Sequence, residues 1–165
     1  MIKTVILLIV SLISFSTVLA QDTAEVPTKI VIKAGTQFSA KLKTEIDAGK
    51  VKVGEDLKFE LEEDLTGEGG AILKGAEIFG RVVSVEQFSN QTKGSKIEIR
   101  FDFIKHGEEF LFLSAVIVSC QEVPDDIKFR GSEKVEGHTF ASLAGKNLRI
   151  ESDKELTVKL LKDVS

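Results

Sequence analysis

Few residues in this chain have side chains suited to catalysis or metal binding. Cys120 is the single cysteine, and His106 and His138 are the two histidines. Cys120 ends an apolar run, which indicates a buried small hydrophobic residue rather than a reactive thiol. Both histidines lie in polar loop contexts, which predicts exposed side chains. One cysteine can form no internal disulfide and cannot build a zinc site. The two histidines are far apart in the sequence, which disfavours the alternative of a metal pair or a catalytic dyad.

The densest group of carboxylates lies in a glycine-rich segment, and its members are Glu62, Glu63, Asp64 and Glu68. Calcium-binding loops place oxygen ligands at fixed spacing around a sharp turn, as in D-x-D-x-D-G. That spacing is absent here. We therefore interpret the segment as a solvated turn, with a calcium loop as the alternative.

Sequence motifs of hydrolases are also absent, since neither G-x-S-x-G nor H-E-x-x-H occurs. We predict no catalytic, cofactor-binding or metal-binding residues, no cofactor and no enzymatic activity. A hydrolase that uses carboxylates far apart in the sequence is the alternative, because sequence alone cannot pair them in a cleft.

The N-terminus has the pattern of an export signal. Lys3 provides a positive charge, residues 5–19 are mostly apolar, and Val18 and Ala20 are the small residues that precede a cleavage site. An uncleaved membrane anchor is the alternative, but the run is shorter than the roughly 20 apolar residues of a span. We predict a signal peptide over residues 1–20 and a periplasmic or extracellular protein that begins at Gln21.

The remaining residues 21–165 are predicted to form one domain, because 145 residues suit a single core. Removing Lys3 with the signal changes the formal charge from −4 to −5. Nucleic-acid binding would require the opposite sign, so we exclude it. No further segment is apolar and long enough to cross a bilayer as a helix.

The rest of the chain alternates apolar and polar residues with the period of β-strands. The inward-facing positions that this pattern predicts include Phe38, Ala40, Leu42, Leu57, Phe59, Leu61, Ile97, Ile99, Phe101, Phe103, Leu156, Val158 and Leu160. Glycines punctuate the strands, and Gly80 inside one of them predicts a bulge or a bend. We expect an all-β fold, a small partly open barrel or sandwich of about seven to nine mostly antiparallel strands, with no long helix after the signal.

Two further strands are predicted, one at the start of the domain and one in its most apolar segment. Residues 28–34 alternate and predict a first strand. Residues 110–120 are apolar on both faces, which favours a central strand buried on both sides. The alternative for residues 110–120 is a strand that binds a partner, because exposed apolar patches usually mark contacts.

The strand starts contain a weak internal repeat. Residues 34–42 (AGTQFSAKL) align with residues 74–82 (KGAEIFGRV), and residues 155–160 form a partial third copy. A strand–turn–strand corner that recurs around a barrel explains the repeat, and chance similarity among strands is the alternative.

The same corners resemble a known family. Residues 32–36 (IKAGT) are similar to the I-P-A-G-T opening of the C-terminal β-barrel domain of TrbI-like conjugal-transfer and type IV secretion proteins. Residues 72–80 (ILKGAEIFG) resemble its I-P-K-G-(S/A)-x-(L/I)-x-G segment. Residues 99–104 (IRFDFI) resemble its V-R-W-x-R-(L/I)-I strand, and residues 155–164 resemble the last strand of its barrel.

The resemblance implies the barrel, although Lys33 and Leu73 stand where the family has prolines. The family's barrel also carries helices that insert into the outer membrane. Here residues 121–146 are short and polar and offer no such span. The chain looks most like a stand-alone exported bacterial protein with this barrel.

Two functions are compatible with this pattern besides the hydrolase. The first is a non-enzymatic envelope module that contacts another envelope protein, or itself, through a barrel edge or through residues 110–120. The second is a protein that binds a small ligand or a glycan at the barrel mouth and its loops. The absence of Trp and Tyr weakens a sugar-stacking site.

Overall fold

A computed structural model describes residues 29–165, and the predicted signal peptide therefore lies outside the described residues. The chain forms thirteen β-strands: β1 Gln37–Leu42, β2 Ile46–Asp47, β3 Asp56–Leu61, β4 Leu65–Gly67, β5 Gly70–Ile72, β6 Glu77–Glu86, β7 Gly94–His106, β8 Glu109–Phe112, β9 Ala115–Cys120, β10 Lys128–Gly131, β11 His138–Ala144, β12 Arg149–Ile150 and β13 Glu155–Leu160. Residues 29–165 contain no helix that is long and apolar enough to cross a membrane.

Nine strands form one antiparallel sheet in the order β10-β11-β7-β6-β3-β1-β13-β9, with β8 paired to β7 as an additional arm. The sheet curls until its end strands meet, and a Cβ atom added at Gly131 of β10 would lie 3.6 Å from Val116 of β9. No ladder in the described part of the chain joins β9 to β10. The expected all-β, partly open barrel is confirmed.

The interior is one continuous apolar cluster. The predicted inward positions of β1, β3 and β13 are all buried. The rings of Phe59 and Phe101 lie 5.0 Å apart within it. Most core residues of the long strands alternate with charged neighbours, which follows from a sheet with one face in the core and one in water.

One turn conformation repeats at the start of four strands. In the corner before β1, Gly35 has φ 87°, its N–H donates to the carbonyl of Leu160 over 2.9 Å, and the N–H of Leu160 donates to the carbonyl of Thr36 over 2.9 Å. The same exchange is made by Gly75 and Ala76 with Leu61, by Gly54 and Glu55 with Val82, and by Asp153 and Lys154 with Leu42. The recurring corner predicted from the sequence repeat is therefore present, and it positions β1, β3, β6 and β13.

Two of these corners share a further feature. The carboxylate of Asp163 accepts from the N–H of Ala34, and that of Asp64 accepts from the N–H of Lys74, each over 2.8 Å. The two aspartates follow Leu160 and Leu61 by three residues. Asp64, which belongs to the acidic segment, therefore serves as a structural cap of its corner.

A bulge in β7 corrects one sequence prediction. Phe79 pairs with Phe103 but Gly80 pairs with Phe101, so Asp102 is the extra residue. A Cβ atom at Gly80 would lie 2.5 Å from the carbonyl oxygen of Arg100, which explains why the β6 residue opposite the bulge is a glycine. Phe103 was expected to face the core with Phe101. Instead the bulge turns its side chain to the outer face and brings Ile104 into the core.

Two further expectations are wrong in detail. The predicted strand over residues 28–34 contributes only isolated bridges, from Val31 to Glu68 and from Ile32 to Val164. Residues 110–120 form no continuous central strand. They divide at Leu113 into β8, an arm at the margin of the sheet, and β9, the last strand of the sheet order. Sequence alternation could not separate burial from exposure in a segment that is apolar throughout.

Candidate interaction surface

The feature with functional potential is the hairpin of β7 and β8, which projects beyond the end of β11. Gly107 adopts φ 59° in the turn, and His106 pairs with Glu109 to close it. Gly107 therefore lies in a tight turn between β7 and β8. Four register pairs hold β8 to β7, from His106–Glu109 to Phe103–Phe112.

Phenylalanines form a continuous strip across the outer face of β6, β7 and β8. The ring centroids of Phe79 and Phe103 are 4.8 Å apart, and those of Phe103 and Phe110 are 4.9 Å apart in an edge-to-face arrangement. Phe112 pairs directly with Phe103 and is 85% exposed, while Phe110 is 56% exposed. We call these four residues the aromatic strip. Such clustering of large apolar side chains on a surface is typical of a contact site.

The backbone of β8 is available on the side away from β7. No hydrogen bond outside the β7–β8 ladder involves the N–H or C=O of Phe110 or Phe112 within residues 29–165. An unpaired strand edge is a template for a further strand. The aromatic strip thus lies directly beside backbone groups that a partner strand could bond.

A charged cluster borders the strip. Asp102, which the bulge places on the outer face, receives hydrogen bonds from Nε of Arg81 over 2.7 Å and from Nε of Arg100 over 2.8 Å. The hydrogen bond to Asp102, followed by its charge, raises the pKa of Arg81. Two guanidinium groups share the carboxylate of Asp102, and with Phe112, Ser114 and Glu136 they line an open groove. The carboxylate of Glu136 lies 3.0 Å from Nζ of Lys162.

No family model matches this chain, and no curated protein matches it. Among solved structures, ComB10 of the Com type IV secretion system of Helicobacter pylori is similar, with a TM-score of 0.49 and 10% sequence identity. The alignment covers 83% of this chain and 91% of that chain. At this TM-score the likeness carries no argument about this chain.

The residues that the sequence analysis considered for catalysis or metal binding lie on different elements. Cys120 ends β9 and packs partly against the core. Burial raises the pKa of its thiol to about 11, which keeps it protonated at neutral pH. Its interpretation as a packing residue is therefore supported. His106 ends β7 and is half-buried.

His138 corrects the prediction of an exposed loop histidine, because it begins β11 and is only 8% exposed. Its Nδ1 lies 2.8 Å from Oε1 of Glu98, and the hydroxyl of Ser84 donates to Oε2 over 2.8 Å. Burial raises the pKa of Glu98, but the hydrogen bonds from His138 and Ser84 outweigh it, and the pKa is lowered overall. The serine and the histidine both bond the carboxylate rather than each other, which is a structural link between β6, β7 and β11.

The carboxylates of residues 62–68 point to separate partners. Glu62 lies 3.1 Å from Nζ of Lys41, and Glu68 lies 3.7 Å from Nζ of Lys33. Glu63 accepts from the N–H of Ser39 over 3.3 Å. No group of three or more potential metal ligands is found among the described residues.

The aromatic strip itself was not predicted from the sequence. The signal was present as Phe110 and Phe112 two positions apart after a glycine turn, which places both side chains on one face. Phe103 and Phe79 could join them only because of the bulge at Asp102, for which Gly80 was the sole sequence indication.

Proposed function

We propose that this chain is an exported, non-enzymatic β-domain of the bacterial cell envelope that acts as a structural or protein-interaction module. The signal pattern in residues 1–20 supports export to the periplasm or beyond. The contact site is the aromatic strip together with the free edge of β8. The observation that carries this proposal is the exposure of Phe112 and Phe110 on a strand whose backbone is paired on the β7 side only among the described residues.

The packed interior favours this function over a ligand-binding barrel. Phe59, Phe101 and the buried residues of β1 and β13 fill the space that a ligand would need. A small-molecule site would use a concave cavity with a few convergent polar groups. Protein contacts instead use exposed aromatic anchors, which Phe110 and Phe112 provide.

Site-specific photo-cross-linking in intact cells tests the proposal. A benzophenone amino acid replaces Phe112 in the full chain, and Val53, which is 64% exposed at a corner turn, provides the matched control position. We expect a discrete covalent adduct larger than the monomer from position 112 and none from position 53. Fractionation and the mass of the mature chain test export, with Gln21 expected as the first residue.

A double variant separates contact from folding. Phe110→Ser with Phe112→Ser removes two largely exposed side chains. The loss of the ring contact between Phe103 and Phe110 should lower the free energy of unfolding in urea by about 0.5–1.5 kcal/mol, a loss that leaves the domain folded. The variant should nevertheless lose the adduct formed from a probe at Phe103. If position 112 gives no adduct in the envelope fraction, the proposed function is wrong.

A further inference from the structure

The ladder between β7 and β8 defines which backbone groups of β8 are free. The N–H of Leu113 donates to the carbonyl of Asp102 over 3.1 Å. Hydrogen-bonded and non-hydrogen-bonded pairs alternate along an antiparallel ladder. The pairs Ile104–Leu111 and His106–Glu109 are therefore the hydrogen-bonded ones. Both backbone groups of Phe110 and of Phe112 point away from β7.

These four groups are self-complementary. If a second β8 runs antiparallel with Phe110 opposite Phe112 of the second copy, each of these residues exchanges two hydrogen bonds with its opposite number. Leu111 then lies on a two-fold axis, where it forms a non-hydrogen-bonded pair with Leu111 of the second copy. This register satisfies all four free groups on each copy, and it is the closed, isologous arrangement of a symmetric dimer.

The side chains agree with the same register. Directly opposed residues of an antiparallel pair lie on one face of the sheet, so Phe110 faces Phe112 of the second copy on the outer face. The aromatic strips of two barrels then join into one, from Phe79 through Phe103 and across the axis. Aromatic pairs at this spacing contribute beyond the area that they bury.

Charge complementarity favours a second copy over an unrelated strand. Glu108 in the hairpin turn is exposed, and it forms no salt bridge among the described residues. In this register Glu108 lies opposite Ser114 of the second copy, beside the groove that carries Arg81 and Arg100. The symmetry places the Glu108 carboxylate at both ends of the interface beside Arg81 and Arg100, of which only the Nε groups bond Asp102.

From these observations we propose that the partner of β8 is a second copy of this chain, joined by antiparallel β8 pairing about a two-fold axis at Leu111. The inference rests on the proposed function, whose contact site it uses. The paired strands are short, so the dimer belongs to the weak class of interfaces.

Disulfide trapping tests the register in the full mature chain with Cys120→Ser as background. Leu111→Cys should form a covalent dimer under mild oxidation, because Cα atoms of a non-hydrogen-bonded pair are about 4.5 Å apart, within the range of a disulfide. An equal mixture of Phe110→Cys and Phe112→Cys chains should also form a covalent dimer. Phe110→Cys alone should not, because its symmetry mate lies diagonally, beyond about 7 Å. Val53→Cys serves as the exposed control and should remain monomeric.

Sedimentation equilibrium of the mature chain without engineered cysteines provides the second measurement. We expect a reversible monomer–dimer equilibrium, and Phe112→Lys should weaken it by about tenfold or more because a lysine at a strand edge opposes pairing. Glu108→Lys should also weaken it, and more so at low salt, where surface charges are least screened.

The outcomes separate the two proposals. A monomer at all concentrations, with no disulfide from Leu111→Cys or from the mixture, overturns the second-copy inference. If the photo-probe at Phe112 then still captures a different protein, the proposed function is retained and the partner of β8 is a strand of that other protein. If a chain that begins at Lys29 dimerises while the mature chain does not, residues 21–28 occupy the edge and the inference is wrong for the mature chain. Absence of both disulfide and adduct refutes both proposals.

Discussion

The barrel seam provides a sharp test of how this fold closes. The N–H of Ile117 on β9 donates to Oγ1 of Thr139 on β11 over 2.9 Å, and this hydrogen bond crosses the margin where β9 and β10 form no ladder. Both residues are buried, and Thr139 is 0% exposed. Thr139→Val keeps the shape of the side chain but leaves the N–H of Ile117 without a partner. An unsatisfied buried donor costs about 1–3 kcal/mol, so the variant should lose that much free energy of unfolding.

Urea unfolding followed by circular dichroism measures this loss, and Tm should fall by about 3–10 °C for a domain of this size. Thr157→Val on β13 is the matched control, because Thr157 is a strand threonine of the main sheet that is only partly buried. The control should change stability by less than about 0.5 kcal/mol. A loss below about 0.5 kcal/mol for Thr139→Val as well would show that the side-chain bond does not hold the seam.

Three further predictions concern the bulge and the titratable groups. Gly80→Ala should destabilise the domain by about 1–3 kcal/mol in urea, because its Cβ would meet the Arg100 carbonyl oxygen at 2.5 Å. The lowered pKa of Glu98 contributes stability that is present above the unfolded value and lost as pH falls through the lower folded value, so the advantage of wild type over Glu98→Gln should shrink as the pH falls below the ordinary value of 4.5. Cys120, with a pKa of about 11 against an ordinary value of 9.0, should react with iodoacetamide at pH 8 about 100-fold more slowly than a free thiol.

A specific result would contradict each of these three predictions. A Gly80→Ala variant as stable as wild type would mean that the strand shifts to accept the methyl group, and Gly131→Ala, whose Cβ has ordinary space, is its control. If the difference in free energy of unfolding between wild type and Glu98→Gln stays constant across the acid range, protonation of Glu98 is not coupled to folding. Labelling of Cys120 at the rate of a free peptide thiol would show that the end of β9 is open.

The core positions and the corners could be predicted from the sequence because they depend on local chemistry. Phe38, Leu57 and Val158 are buried where period-two alternation places them. Gly35 and Gly75 adopt the positive φ that their turns require, and the short repeat around them is a repeat in structure. The resemblance to a β-barrel family points to the same architecture.

The contact surface depends on relations between distant segments. Phe103 lies on the outer face because β7 contains an extra residue opposite Gly80, and no sequence pattern within β7 predicts that bulge. His138 is buried because β11 pairs with β7, which brings it to Glu98 forty residues earlier in the chain. Neither pairing can be deduced from the residues near it.

The sequence alone therefore determined the all-β class, the alternating core, the glycine corners and the scarcity of catalytic residues. Each of these is set by side-chain type and by spacing over a few neighbouring residues. The tertiary structure decided that residues 110–112 form an exposed arm, that the bulge assembles an aromatic strip and that two arginines share Asp102. The physical reason is that an apolar residue is equally suited to a core or an interface, and only the packing of the remaining chain decides which of the two it meets.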